Sequence, residues 1–264
     1  MRLLKQSLFV LTTAAIAFGQ QAGTVVSVSV GNYRPIVSPA SIVSGWGTGL
    51  AANTVVANTN TSGPALQLPE TLGNVRLTLV DSARAAQTPG LYMVSPGQVN
   101  YVLPDPTAQG LANLTLANGT SSLNGTVLVS NVAPAIFSAD GSGNGVPAAQ
   151  ILRITAAGQA VYEMPFRTGA STYTPAPIRV STQGESVYVL LYGTGFRRHS
   201  LNPVIATVGG VNVPVLYAGA QSQYPGMDQI NVGPLPASLA GKGVTDLQVI
   251  VDGVPANTVT ISIQ

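Results

Sequence analysis

The sequence has no cysteine and few charged residues. Among its 264 residues it has one histidine and one tryptophan. Without cysteine it can form no disulfide, thiol nucleophile or thiolate metal site. Charged residues make up 8% of the chain, where about 25% is usual, and small neutral polar residues take their place. Hydrophobic residues reach 45%, so we expect packed cores and not disorder.

The N-terminal residues are typical of a secretory signal peptide. Arg2 and Lys5 precede an apolar stretch from Leu8 to Phe18, which ends at small residues. We expect cleavage after Gly19, so that the mature chain begins at Gln20 and is secreted or held at the cell envelope. After this segment no apolar run reaches the ~20 residues of a membrane-spanning helix, so no membrane insertion is expected.

The charge balance and the missing motifs exclude several classes of function. The chain has eleven Lys plus Arg and nine Asp plus Glu, and two of the basic residues leave with the signal, so the mature chain has nine of each. No basic surface for nucleic acid is therefore expected. The sequence also lacks a Walker motif, a Gly-x-Ser-x-Gly elbow and a His-Glu-x-x-His motif. No cofactor is predicted.

Glycine and proline divide the chain into short segments that favour strands. There are 29 glycines and 19 prolines, and the runs between them alternate or are rich in Val, Ile, Thr and Tyr. Strands are predicted at residues 25–30, 75–80, 114–117, 186–192, 211–217, 247–251 and 258–263. Hairpin turns are predicted at 118–119, 124–125, 209–210 and 252–253, and at most one helical turn at 237–242.

Four sequence elements recur in the same order in the two halves of the chain. Four segments of the first half match four segments of the second half, taken in order. The first-half segments are residues 41–50, 72–75, 96–104 and 116–127, and their partners are residues 186–196, 208–211, 225–236 and 251–259. The sequence therefore predicts an all-β protein of two tandem immunoglobulin-like antiparallel β-sandwich domains, at residues 20–133 and 134–264. An insertion at residues 156–183 in the second domain has no partner in the first.

The second half resembles a known family. The resemblance lies in the run Pro-Ala-Ile-Phe-Ser-Ala-Asp-Gly-Ser-Gly-Asn-Gly from Pro134, and in residues 191–195, 209–212, 215–219, 226–232, 238–243, 251–253 and 257–259. The half is similar to the uncharacterised Solibacter C-terminal domain family of secreted acidobacterial proteins. Residues 47–50 and 95–100 resemble the looser domain that often precedes it. The resemblance implies a secreted immunoglobulin-like sandwich and no particular activity.

One loop has the composition of a metal site. Residues 140–145 alternate oxygen-bearing side chains with glycine, and Asp140 is the best metal candidate of the chain. The loop lacks the further acidic ligands of a calcium loop, so an ordinary interdomain turn is favoured and no metal site is assigned.

Aromatic side chains are candidates for stacking against sugars. Trp46 and Tyr192 stand at equivalent places before Gly-Thr-Gly, which favours a shared place in the core. The aromatics that lie outside the repeat are freer candidates for ligand binding, and they are Tyr162, Phe166, Tyr173 and Tyr224.

Each half also contains a Gln-x-Asn pair. Gln98 and Asn100 in the first half match Gln229 and Asn231 in the second, and their spacing puts each pair on one face of a strand. The amides could face a ligand, or could hold a neighbouring backbone by hydrogen bonds.

Catalysis has few candidate residues. His199 follows two arginines, which favours a solvated loop. A glycosidase needs only two carboxylates, but none of the nine is paired in sequence, so no catalytic residue is assigned. We expect a non-catalytic extracellular or cell-surface module for adhesion or assembly with an unknown protein or polysaccharide partner, or alternatively a carbohydrate-binding module that uses the insertion aromatics.

Overall fold

The structure is a computed structural model that describes residues 23–59, 66–119, 121–169, 172–180 and 184–264. The predicted signal peptide lies outside these residues. The described residues form β-strands and one 3₁₀ turn at Ala237–Leu239, which confirms the all-β prediction. Across these ranges no helix is long and apolar enough to cross a bilayer.

The described residues of the first half form eleven strands. They are β1 Thr24–Ser29, β2 Ile36–Val37, β3 Ile42–Trp46, β4 Val55–Val56, β5 Thr71–Leu72, β6 Val75–Val80, β7 Ala86–Gln87, β8 Gly90–Val94, β9 Gln98–Val102, β10 Gly110–Ala117 and β11 Ser122–Val129. One continuous order, β4-β8-β9-β3-β1-β11-β10-β6-β5, connects them, with β2 beside β11 and β7 beside β6.

Strand β1 joins two layers of the first half. Its first residues pair in parallel with β11, and its last four pair antiparallel with β3. Alternate side chains of both layers meet in one core, as the burial pattern of β6 shows, with Val75, Leu77 and Leu79 inside and the residues between them outside or half-buried. This alternation is what a sheet with one packed face requires.

Where the structure describes the second half, it has fourteen strands. They are β12 Ala135–Ile136, β13 Ala149–Ile154, β14 Ala160–Glu163, β15 Phe166–Thr168, β16 Tyr173–Pro175, β17 Pro177–Ile178, β18 Ser186–Thr194, β19 Ile205–Val208, β20 Val211–Val213, β21 Val215–Ala220, β22 Asp228–Val232, β23 Gly243–Val251, β24 Val254–Pro255 and β25 Val259–Ile263. The sheet β14-β13-β18-β22-β21 and the sheet β17-β25-β23-β19-β20 enclose a second core, and β15 pairs with β16 alone.

The strand pairing of the first half recurs in the second. β3 pairs with β9 as β18 pairs with β22, and β6 pairs with β10 as β19 pairs with β23. The turn at 209–210, between β19 and β20, therefore corresponds to residues 81–85 between β6 and β7. The predicted match of residues 72–75 with 208–211 is therefore wrong. The glycine turn at 73–74 precedes β6, whereas the glycine turn at 209–210 follows β19, the strand equivalent to β6. The immunoglobulin-like class and the boundary after residue 133 stay predictions.

The predicted turn at residues 124–125 is also wrong, because both residues lie inside β11. A Cβ atom on Gly125 would lie 2.2 Å from the carbonyl oxygen of Val25 on β1. Only glycine lets the two parallel strands approach so closely. The turn of this hairpin begins at Asn118, whose side chain accepts the N–H of Ser121 at 3.0 Å.

A third apolar cluster joins the two halves, and it contains Val30, Ile42, Leu66, Tyr92, Tyr192, Tyr224 and Met227. Beside it the fully buried Thr194 hydroxyl accepts the N–H of Ile42 at 2.8 Å and donates to the carbonyl of Gly226 at 2.7 Å. The hydroxyl of Tyr92 donates to the carbonyl of Pro225 at 2.7 Å. These buried contacts hold the two halves in one arrangement.

Candidate functional site

The outer face of the sheet β14-β13-β18-β22-β21 is the candidate site. Alternate residues of these strands point into the core, as Val187, Val189 and Leu191 do on β18, so the residues between them point outward. We call this surface the tyrosine face. It consists of Gln150, Leu152, Tyr162, Tyr188, Leu190, Tyr192, Tyr217, Gln229 and Asn231. Leu190 and Tyr192 are covered, at 7% and 6% exposed, so the accessible part of the face is formed by the other seven.

The strand register spaces three of its tyrosines across the sheet. Tyr162 on β14 is opposite Leu152 on β13, which is opposite Tyr188 on β18. In the next row Tyr217 on β21 is opposite Asn231 on β22. The tyrosines therefore stand two strands apart, about 10 Å in the direction across the strands. Tyr162 is 60% exposed and Tyr217 is 42% exposed.

The hydroxyl end of the Tyr217 ring lies over Gly219. A Cβ atom on Gly219 would lie 2.9 Å from the Tyr217 hydroxyl oxygen and 3.1 Å from Cζ, so the ring covers this glycine. The hydroxyl donates to the carbonyl of Ala220 at 2.5 Å, which fixes the ring at its tip. The tip of the ring is therefore held against the backbone, and the residue stays 42% exposed.

Amide side chains stand between the tyrosines. The Gln229 amide nitrogen donates to the Asn231 side-chain oxygen at 2.7 Å, and both residues are half-buried. The hydroxyl of Tyr192 donates to the side-chain oxygen of Gln150 at 3.0 Å. Burial, and to a smaller extent the neighbouring phenol of Tyr162, raise the pKa of Tyr192. The face therefore offers rings and hydrogen-bonding amides without a charged group.

The equivalent Gln-x-Asn pair in the first half is closed. Gln98 and Asn100 are 7% and 5% exposed. The side-chain oxygen of Asn100 accepts bonds from Ser44 and from Gln98, both at 2.8 Å. This pair therefore has a structural role, which is one of the two interpretations that the sequence left open; the other was contact with a ligand. Leu190 replaces the serine in the second half, so no hydroxyl ties Asn231 there.

Trp46 and Tyr192 differ in their surroundings. Tyr192 is 6% exposed, but its ring lies in the cluster between the halves and not in the core of the second half. Trp46 is half-buried, and its buried Nε1 finds no hydrogen-bond partner in the described part of the chain. The core position expected from the sequence is therefore confirmed for Tyr192, which lies in a buried apolar cluster, and is wrong for Trp46.

The structure separates the four predicted ligand aromatics. Tyr162 lies on the tyrosine face. Phe166 is 7% exposed, and its ring meets Tyr173 edge to face with centroids 5.3 Å apart. Tyr224 is 5% exposed in the cluster between the halves. Phe166 and Tyr224 are thus too deeply buried to stack on a ligand, and their prediction as free aromatics is wrong. Tyr173 is 37% exposed and lies on the small β15-β16 sheet.

Sequence reasoning missed Tyr188, Tyr217 and Gln150. The alternation of residues 186–192 does place Tyr188 opposite to the aliphatic positions, and this signal could have found it. Tyr217 and Gln150 join the face only through the pairing of distant strands, so no local pattern indicates them.

Asp140 acts as a turn residue. Its Oδ1 accepts the N–H of Ser142 at 3.0 Å and hydroxyls of Ser138 and Ser142, both at 2.8 Å. Partial burial would raise the pKa of Asp140, but these hydrogen bonds outweigh it and lower the pKa. No cluster of three or more His, Cys, Asp or Glu side chains occurs in the residues that the structure describes. The structure gives Asp140 the role of locking the turn, and the metal prediction gains no second ligand.

Eight of the nine acidic side chains take part in structural contacts. Asp228 is fully buried and bonded to Arg197 and to the backbone N–H of Phe196. Burial raises the pKa of Asp228, and the guanidinium opposes that effect. Glu163 and Glu185 both pair with Arg153. The other acids in contacts are Glu70, Asp81, Asp105, Asp140 and Asp252.

The remaining acid, Asp246, is exposed on β23. His199 is half-buried, and its ring nitrogens lie 2.7 and 3.2 Å from the carbonyls of Ser200 and Ala218. This position differs from the free, solvated one expected from the sequence.

No protein-family model matches the chain, and no curated protein matches it. Solved structures similar to it include the Bacteroides ovatus mixed-linkage glucan utilization locus protein SGBP-B in complex with a mixed-linkage heptasaccharide, at 13% identity and a TM-score of 0.32, covering 87% of this chain and 43% of that one. Yersinia pseudotuberculosis InvD has 13% identity and a TM-score of 0.23, covering 91% and 57%.

Domains 5–6 of the S-layer protein SbsC have 13% identity and a TM-score of 0.25, covering 91% and 96%. The chain thus spans less than two thirds of the first two structures. With TM-scores this low, the similar structures do not indicate a function for this chain.

Proposed function

We propose that the protein is a non-catalytic interaction module that works outside the cell and binds its partner with the tyrosine face. The observation that supports this most is the contrast between the two halves. Equivalent sheets carry the same Gln-x-Asn pair, which is buried in the first half. In the second half the pair is half-buried next to Tyr217, which is 42% exposed, and the far edge of the same face carries Tyr162, which is 60% exposed. A face of exposed rings is a marker of an interaction surface.

The junction between the halves supports the proposal. Thr194, Tyr92 and the apolar cluster hold the second half against the first. A surface on a rigid sheet loses little conformational entropy when it binds. The protein would therefore present the tyrosine face in a fixed position relative to its first half.

The contacts of the acidic side chains support a non-catalytic role. A carboxylate-only hydrolase needs one carboxyl group to give up a proton and a second to act as base or nucleophile. Glu163 and Glu185 are both held in ion pairs with one arginine, Arg153. Asp81, Asp140 and Asp252 instead accept bonds from loop backbone and hydroxyl groups.

Export is supported by the N-terminal pattern of basic and then apolar residues. The neutral polar surface that replaces charged residues also suits a protein that works outside the cell.

Co-sedimentation with cell envelopes from the organism that encodes the protein tests the proposal. We expect the full chain to sediment with the envelopes, and the double variant Tyr162→Ala/Tyr217→Ala to stay in solution. Tyr173→Ala is the matched control, since Tyr173 is an exposed tyrosine outside the face. Sedimentation of the double variant at the level of the unchanged protein would contradict the proposal, as would hydrolysis of envelope material that is lost on a single Asp or Glu substitution.

A further inference from the structure

We propose that the tyrosine face binds an extended chain of uncharged pyranose sugars, an inference that rests on the proposed function and names its ligand class. The juxtaposition that carries it is three tyrosines on β14, β18 and β21 with amide side chains on the strands between them.

The exposed rings suit the apolar faces of sugar rings. A pyranose presents C–H groups on its faces, and these pack on the π-face of an aromatic ring. Tyr217 is prepared for such stacking, because Gly219 supports one side of its ring and the bond to Ala220 fixes its tip. Tyr188 leans on a glycine in the same way, since a Cβ on Gly233 would lie 2.8 Å from its Cδ1. Rings held in place lose little entropy when a ligand binds.

The amides suit the hydroxyl groups at the edges of the sugars. Gln229, Asn231 and Gln150 are half-buried, and their bonds to one another and to Tyr192 leave donor and acceptor positions over. An amide both donates and accepts, as a hydroxyl does, so the two groups match without a charge on either. Small-molecule and glycan sites are usually lined by aromatic rings with a small number of well-placed polar groups among them.

The charge of the face selects an uncharged ligand. All nine side chains of the tyrosine face are neutral, and an anionic polysaccharide would lose hydration of its carboxylates or sulfates there without gaining a cationic partner. Arg153 is buried and pairs with Glu163, and Arg197 pairs with the buried Asp228, so neither cation belongs to the face.

The dimensions of the face favour an extended chain. Tyr162 and Tyr217 lie on strands four spacings apart, so the platform is about 19 Å wide, which accommodates several sugar rings in a row. An extended chain that runs across the strands can reach the tyrosines on β14, β18 and β21 together, whereas a coiled chain would reach only one at a time.

Affinity electrophoresis of the full chain tests the inference. The gels contain hydroxyethyl cellulose, a soluble galactomannan or a soluble xylan as neutral polysaccharides, and polygalacturonate as the charged one. We expect at least one neutral polysaccharide to retard the protein and polygalacturonate to leave it unretarded. Tyr162→Ala and Tyr217→Ala should each weaken binding about tenfold, the loss expected for about 1.4 kcal/mol of stacking.

Two variants separate stacking from folding. Tyr217→Phe keeps the ring and should keep most of the affinity, and Tyr173→Ala should bind as the unchanged protein does. Circular dichroism melting of each variant shows that its fold is kept.

Retardation by none of the neutral polysaccharides, or equal retardation by polygalacturonate, overturns the inference. If the chain still sediments with envelopes through Tyr162 and Tyr217, the proposed function stands and the partner is a protein. If the double variant also sediments, both fail. Loss of retardation in Tyr173→Ala, with Tyr162→Ala unaffected, would overturn the tyrosine face as the site.

Discussion

At the scale of single residues, the carboxylates of this chain hold loops together. Asp81 is 5% exposed, and its two oxygens accept the N–H groups of Ala83, Ala85 and Ala108 at 2.9 to 3.0 Å. The bonds close the turn between β6 and β7 and connect it to the loop before β10. A short acid side chain here replaces the hydrogen bonds that a regular strand would supply.

Replacing Asp81 with Asn should destabilise the protein, and more so near neutral pH than in acid. The N–H of Ala108, followed by that of Ala85, lowers the pKa of Asp81 in the folded protein. Its ionised form therefore adds stability above the unfolded pKa of about 3.9, and this stability is lost as the pH falls through the lower folded value. Urea unfolding of both proteins across the acid range measures the effect. A stability difference that does not shrink in acid would contradict it.

At the same scale, Gly125→Ala should be strongly destabilising. The new Cβ would lie 2.2 Å from the Val25 carbonyl oxygen, so β1 and β11 would have to separate. We expect a loss of about 3 kcal/mol, at the upper end for overpacking, in chemical denaturation. Asn124→Ala, at the exposed neighbouring position, is the control and should be nearly neutral. Equal stabilities of the two variants would contradict the close strand approach.

At the scale of strands, the repeat supplies a matched pair of sites. Asn100 on β9 and Asn231 on β22 occupy equivalent positions, but only Asn100 accepts two bonds in a buried setting. Truncating Asn100 removes the acceptor of the buried Ser44 hydroxyl and leaves the Gln98 amide only its 3.4 Å bond to Ser44. Water can replace the side chain of the half-buried Asn231.

Asn100→Ala should therefore cost about 2 kcal/mol of unfolding free energy, and Asn231→Ala less than about 1 kcal/mol. Denaturant unfolding of the two variants measures the difference. If Asn231→Ala were the more destabilising, its amide would be part of the scaffold, and its place in a ligand surface would be lost.

The sequence reveals strands better than it reveals their neighbours. Residues 75–80 form the predicted strand because Val75, Leu77 and Leu79 alternate with outward residues. The predicted strand at 211–217 is broken at Pro214 into β20 and β21, since proline cannot donate to a ladder. The match of 72–75 with 208–211 failed because glycine marks turns at both ends of a strand, and only pairing partners tell them apart.

The candidate site could also be predicted only in part, because local sequence patterns do not show which strands are neighbours. Tyr162 could be identified from the sequence because it lies outside the repeat, but the burial of Phe166 and Tyr224 depends on contacts with distant segments. The tyrosine face is assembled across five strands that are separate in sequence, so its composition emerges only from the register.

At the scale of the whole molecule, buried tyrosines hold the cores and the junction together. Burial raises the pKa of Tyr92 and Tyr224 at the junction and of Tyr101 in the first core. Burial also raises the pKa of Tyr33, whose hydroxyl bonds to the carbonyl of Gly141 across the halves. These phenols remain neutral in the folded protein.

Alkaline titration should therefore be cooperative for these tyrosines. Their folded pKa exceeds the unfolded value of about 10, so their contribution to stability is complete below that pH and is lost as the pH rises toward the folded value. Phenolate absorbance should rise in a step that coincides with the loss of the circular dichroism signal. A gradual rise that is complete while the fold is intact would contradict the burial of these side chains.

The most direct test of the central claim is a tyrosine footprint of the bound protein. The full chain is nitrated with tetranitromethane in the absence and presence of cell envelopes, and the modified peptides are quantified by mass spectrometry. The tyrosine face as binding surface predicts that Tyr162 and Tyr217 lose most of their modification in the bound protein, while Tyr173 reacts as before. Unchanged modification of Tyr162 and Tyr217 on bound protein would contradict it.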